Sequence, residues 1–121
     1  MRKDAKDGRR AGVPAPTTEL IHSLARAGRY VLSIHAEHER QSDKISAAEL
    51  EAALGDCEII EDYPEDTRGH SCLTLGLAQT RPIHAVCTIK DSPREILLIT
   101  VYDPTLRPDK WEPDLRHRRK P

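Results

Sequence analysis

Four stretches decide the fold: CEIIEDY (Cys57–Tyr63), SCLTLGLA (Ser71–Ala78), IHAVCTI (Ile83–Ile89) and EILLITVY (Glu95–Tyr102). Each is rich in β-branched or large apolar residues, and the apolar positions recur with a period of two, the spacing of side chains on one face of a strand. Turn signals separate them: PEDTRG (residues 64–69), QTRP (79–82) and KDSP (90–93). Connections this short cannot cross over a sheet, so the four strands are expected to form an antiparallel meander.

The segment before them has a helical period. Thr17 or Thr18 can cap a helix whose Leu20, Ile21, Leu24 and Ala25 share one face, and Gly28 ends it. Ser46 and Glu49 form a capping box, in which each side chain satisfies an orphan backbone N–H of the other's turn. Leu50, Ala53 and Leu54 follow at helical spacing and Gly55 closes that helix. Tyr30–Ile34 reads as a short strand, and residues 35–42 as one or two helical turns. Helices first and strands after is the α+β order. The expected architecture is therefore N-terminal helices on one face of a four-stranded antiparallel sheet.

The chain of 121 residues fits one domain. The expected organisation is a disordered basic tail over residues 1–16, a domain over 17–115 and a basic C-terminal tail over 116–121, with Trp111 pinning that tail back onto the domain. With no Phe, one Trp and three Tyr, the core must come from Leu, Ile, Val and Ala. No run approaches the length of a membrane span, and the N-terminus lacks the apolar stretch of a secretory signal, so a cytoplasmic location is expected. Cys57, Cys72 and Cys87 cannot all pair within the chain and show no Cys-x-x-Cys spacing; they read as buried, reduced thiols.

Charge is segregated along the chain. Residues 1–29 hold seven Lys/Arg against three Asp/Glu, net +4; residues 30–66 hold two against eleven, net −9; residues 67–121 hold ten against six, net +4. An acidic middle between basic ends suggests opposed faces, one of which meets an anion, or simply a solvated surface.

Alternation also suggests where chemistry lies. If the helices cover the faces carrying Leu73/Leu75/Leu77, Ile83/Ala85/Cys87/Ile89 and Leu97/Ile99/Val101, then His84, Thr88, Thr100 and Tyr102 gather on the opposite, open face. A His to move a proton, a Tyr, hydroxyls and a nearby Arg81 or Arg116 suit metal-free RNA cleavage, in which the 2′-OH attacks its own phosphodiester. The bland alternative is a satisfied strand histidine beside a packed aromatic. His35 and His38, three residues apart, can share a helical face and bind a metal if a third ligand such as His70 or His84 joins them; an N-cap or hydrogen-bonding role for His35 is the simpler reading. Arg116–Lys120 can contact phosphates or merely solubilise the end.

Several stretches together resemble a known family: His35-Ala36 with Arg40 and Ile45-Ser46, residues 60–66, Ser71–Gly76, Arg81–His84, Ile99–Tyr102, Pro104, Trp111 and Arg116. They look like a small bacterial domain family of unknown function, often encoded beside antitoxins with a YgiT-type zinc finger. The resemblance spans about Tyr30 to Arg118. That family is similar to RelE-like and MqsR-like toxins, which implies a RelE-like fold, no cofactor or metal, and endoribonuclease activity in a toxin–antitoxin pair. It implies His84 and His35 as the proton-transfer pair, Tyr102 and Thr100 as substrate-positioning groups, and Arg40, Arg81 or Arg116 as phosphate binders, with RNA and an antitoxin as partners. One departure stands out: where family members carry spaced arginines after the His-Ala pair, this chain has Glu39, Asp43 and Lys44, leaving Arg40. The rival expectation is a non-catalytic module that holds a protein partner on the same sheet face or on the acidic segment Glu58–Asp66.

Overall fold

The computed structural model describes residues 13–120. The expected N-terminal tail lies mostly outside the described residues. The elements are α1 (Thr18–Arg26), β1 (Tyr30–Leu32), α2 (Ile34–Ser42), α3 (Ala47–Leu54), β2 (Glu58–Tyr63), β3 (Ser71–Ala78), β4 (Arg81–Lys90) and β5 (Glu95–Tyr102), followed by a 3₁₀ turn at Pro104–Leu106. Thr17 caps α1 through the Leu20 N–H, and Gly28, at φ 72°, ends it. Ser33, rather than His35, caps α2, accepting from the Ala36 N–H. The capping box at Ser46 and Glu49 is formed with both of its hydrogen bonds.

The sheet has five strands, not four, in the order β1-β5-β4-β3-β2. β2 to β5 are the expected antiparallel meander. β1 adds a parallel edge, with Tyr30, Val31 and Leu32 opposite Ile96, Leu97 and Leu98, so the sheet is mixed. A three-residue strand leaves most of the β5 edge unpaired, and α2 closes the remainder. Ser33 donates its N–H to Leu98 O (2.9 Å) and its Oγ–H to Ile99 O (3.1 Å). Glu39 accepts the Val101 N–H (3.0 Å) and Asp43 accepts the Asp103 N–H (2.9 Å). The acidic residues of α2 and its cap therefore serve the backbone, doing for β5 what a neighbouring strand would do.

Two of the three expected helix-facing surfaces need correction. β4 is as expected: Ile83, Ala85, Cys87 and Ile89 join the core under the helices. On β3 the faces are reversed. Cys72 pairs with Cys87 and Thr74 with Ala85, so Cys72, Thr74 and Gly76 face the helices while Leu73 and Leu75 share the face of His84. The reason is close approach, since a Cβ on Gly76 would lie 1.9 Å from Ala53 O, and only a face of small residues admits α3 that near. On β5 a register shift opposite Val86/Cys87 changes the phase, so Ile96, Leu98 and Val101 enter the core and Ile99 does not.

Cys57, Cys72 and Cys87 are free and buried, with Cys72 and Cys87 Sγ atoms 3.9 Å apart. Burial pushes the Cys57 thiol up to about 12, which keeps it protonated and inert at neutral pH.

Asp43 ties three elements together: besides the Asp103 N–H it receives Arg107 at 2.7 Å. Asp43→Asn keeps an acceptor for the N–H but removes the charge Arg107 faces. It is expected to lower unfolding free energy by about 2 kcal/mol, measured by urea denaturation.

Candidate functional site

His84, Thr88, Thr100 and Tyr102 do share the sheet face away from the helices, with His84 directly opposite Tyr102 and Val86 opposite Thr100. That face is not open. Beyond Arg107 the chain turns back and lays a small hairpin across it. Trp111 bridges Arg118 in antiparallel fashion, Glu112 N–H donates to His117 O, and Arg119 N–H donates to Lys110 O. Asp114 closes the tip by accepting the Arg116 and His117 N–H groups.

The hairpin encloses His84 completely. The His84 side chain is fully buried, its Nδ1 lies 3.0 Å from the Tyr102 hydroxyl, and its Nε2 lies 2.9 Å from Leu115 O. A carbonyl only accepts, so Nε2 carries the proton and donates it, and the Tyr102 hydroxyl donates to Nδ1. The Trp111 ring, 3% exposed, meets the imidazole edge to face at 4.5 Å, and the Tyr102 hydroxyl also bonds to the Trp111 side chain. The ring is thus a neutral imidazole with both nitrogens engaged.

Burial lowers the His84 pKa from 6.5 to about 4, opposed by the Leu115 hydrogen bond and the Glu61 charge. The sign follows directly. Between these two values the unfolded chain holds a proton on His84 that the folded chain does not, so stability is full above about pH 6.5 and falls as pH drops towards 4. The expected loss is on the order of 3 kcal/mol across that window. His84→Asn should flatten the slope of urea stability against pH there. Burial raises the Glu61 and Asp103 pKa values. Hydrogen bonds from Arg118 and Tyr63 to the one, and from Thr105 and Arg81 to the other, outweigh it and hold both below the ordinary carboxylate range, so they act only at lower pH.

Acidic β2 meets the basic end of the chain. Arg116 pairs with Glu58, and Arg118 with Glu61 at 2.9 Å while its guanidinium covers the Trp111 ring at 4.7 Å. Tyr63 donates its hydroxyl to Glu61. The charge segregation of the sequence is in this part an internal complementarity.

The other residues singled out from the sequence are dispersed. His35 stands on α2, which runs along the β5 edge, and its exposed side chain pairs with Glu39 at 3.3 Å. It is not brought to His84, so the expected His84–His35 pair does not form. Arg40 makes a two-point contact with Glu37 and donates to Ile45 O. Arg81 holds Asp103, Glu49 and the Asp43 and Lys44 carbonyls. Thus Arg40, Arg81 and Arg116 all have acidic partners inside the fold. Among the described residues no group of three or more His, Cys, Asp or Glu is placed to hold a metal ion. No helix among them is long and apolar enough to cross a membrane.

Residues 32–103 match the family model of DUF4258, a domain of unknown function. The match covers more than half of the chain. The chain is a DUF4258 protein. It takes in α2 through β5, with His84, Thr100 and Tyr102, and stops before the hairpin. No curated protein and no solved structure matches the chain. Within this DUF4258 protein, sequence reasoning missed Leu115 and Arg107 as members of the site, and it named Glu58 and Glu61 only as part of the acidic segment Glu58–Asp66, apart from the sheet face. The signals were present, in the Pro113-Asp114 turn pair after Trp111 and in the opposed charges of residues 58–61 and 116–118.

Proposed function

We propose that this DUF4258 protein is a non-catalytic protein-binding module whose sheet face receives a segment carrying a tryptophan flanked by arginines. One observation carries the reading: the face already holds such a segment, its own hairpin. Trp111 sits against His84 and Tyr102, and Arg116 and Arg118 sit on Glu58 and Glu61. An aromatic anchor in a dry slot with guanidinium groups at an acidic rim is the usual composition of a binding hot spot. The same enclosure speaks against proton transfer, because an imidazole with both nitrogens engaged under an indole has no site left for a substrate atom.

The test uses a labelled synthetic peptide of residues 107–120 and the full-length Trp111→Ala chain, whose own hairpin has lost its anchor. Saturable binding, weakened at least about tenfold by adding Glu58→Lys and Glu61→Lys, is expected, since truncating a hot-spot partner costs a factor of this order. Absence of binding by the folded chain contradicts the reading. Should Trp111→Ala not fold, Arg116→Glu/Arg118→Glu serves in its place.

A second reading, a toxin-like, metal-independent endoribonuclease paired with an antitoxin, draws support from the 3.0 Å contact of His84 with Tyr102 and from Thr100 on the same face. It requires the hairpin to be away. Incubating mixed RNA with the Trp111→Ala chain in EDTA, with and without ribosomes, separates the two readings. Cleavage that His84→Ala abolishes favours the nuclease, as does harm to cells expressing the chain without a co-purifying antitoxin.

A further inference from the structure

We propose that residues 110–119 open as a unit about a hinge at Pro108 and Asp109, switching the sheet face between covered and available. The purpose of the switch rests on the protein-binding reading; the opening itself does not.

The hairpin is structurally self-sufficient. Among the described residues, its backbone–backbone hydrogen bonds stay within residues 107–119: Lys110 to Arg107, Glu112 to His117, Leu115 to Glu112 and Arg119 to Lys110. None ties it to a strand of the sheet. The backbone tie to the sheet that it gives up on leaving the face is Leu115 O, which accepts from His84 Nε2.

The core is equally complete without it. The buried cluster beneath the helices runs from Ile21 to Val101 and includes no residue of the hairpin. Trp111 is buried against the other face, outside that cluster. Separate packing units can open separately, and the smaller opens first.

Beyond the Trp111 anchor and the His84–Leu115 hydrogen bond, the fastenings are ion pairs at the rim. Arg116–Glu58 is an ion pair whose partners are 46% and 48% exposed, and Arg118–Glu61 one whose partners are 58% and 24% exposed. Such pairs contribute little and weaken with salt. Leu115 sits at φ 61°, a left-handed conformation that a bulky side chain resists, and its carbonyl is the group His84 holds. Opening releases that carbonyl from His84.

The hinge is marked on both sides. Arg107 is fixed to Asp43 at 2.7 Å and to Asp103 O at 2.9 Å, with its guanidinium 4.8 Å from the centre of the Tyr102 ring. Trp111 is the next buried residue. Pro108, Asp109 and Lys110 between them are exposed. Rotation there breaks the Lys110 N–H to Arg107 O bond, in a stretch where water can replace it, moves the hairpin and leaves the Arg107 side chain in place.

Trp111 is the sole tryptophan of the chain, so its fluorescence reports on the hairpin alone. Urea titrations of the full-length chain, followed by Trp111 emission and by far-UV circular dichroism, test the proposal. The emission is expected to shift to the red at a lower urea midpoint than the loss of ellipticity. Arg116→Glu/Arg118→Glu should lower the first midpoint further and leave the second unchanged. Coincident transitions in both the wild type and the double variant would overturn the proposal. Because no ligand takes part, separated transitions without peptide binding would retain the switch and remove the protein-binding reading.

Discussion

Gly76→Ala is expected to yield a chain that does not reach the native packing, losing more than about 4 kcal/mol of stability. A Cβ at this position would lie 1.9 Å from Ala53 O, 2.6 Å from Ala53 C and 3.0 Å from Ala53 Cα. All three are backbone atoms, so no side-chain rotation relieves the clash. α3 would have to lift from β3, uncovering Leu50, Ala53 and Leu54, which are now at most 2% exposed. Gly28 supplies the contrast. Nothing lies within 4 Å of a Cβ there, although its φ of 72° still disfavours a side chain. Gly28→Ala is expected to cost only about 1 kcal/mol. Urea denaturation of the two purified variants, followed by circular dichroism, gives the comparison.

The second large effect is expected from Trp111→Ala. The change removes an indole that packs on the His84 ring at 4.5 Å, supports the Arg118 guanidinium at 4.7 Å and bonds to the Tyr102 hydroxyl. Removal of a buried Trp side chain costs about 3–5 kcal/mol. Here the loss should fall on the hairpin's hold rather than on the fold as a whole, because the core cluster ends at Val101. Two observations check this. Protease cleavage within residues 107–120 should accelerate while the remainder of the chain resists. The His84 titration, followed by NMR, should move up from about 4 towards the ordinary 6.5 as water reaches the ring.

Local signals carried far in this sequence. The Ser46–Glu49 box, the Thr17 cap and the four strand segments all lie where periodicity and turn residues put them, because each is decided by neighbours within a few positions. The parallel edge strand was less legible. Three residues are too few to show a period, and their partner lies more than sixty positions away. The β3 faces misled because large apolar residues ordinarily mark the core face. Here the marker was the small set Cys72, Thr74 and Gly76, where a helix backbone comes close. Ile99 misled for a different reason, since a bulge changes phase without a clear sign in the sequence.

The site was half legible. Alternation correctly gathered His84, Thr100 and Tyr102 on one face. It could not say that the tail expected to be pinned by Trp111 lies across that face, which is a tertiary fact written in charge and in that one tryptophan. The arginines looked available because their partners are remote: Arg81 meets Asp103 and Glu49, and Arg116 meets Glu58. The acidic run through Glu39 and Asp43 read only as a departure from the spaced arginines that the resemblance implies. Its role is to satisfy the backbone at Val101 and Asp103.

The most direct measurement maps the binding surface residue by residue. The ¹⁵N-labelled, full-length Trp111→Ala chain would be titrated with unlabelled peptide of residues 107–120 and followed by amide chemical shifts. The account predicts saturable shifts grouped on Glu58, Glu61, Leu75, His84 and Tyr102, with α1 and α3 unmoved. A folded spectrum that the peptide leaves unchanged, or shifts confined to the helical face, would contradict it.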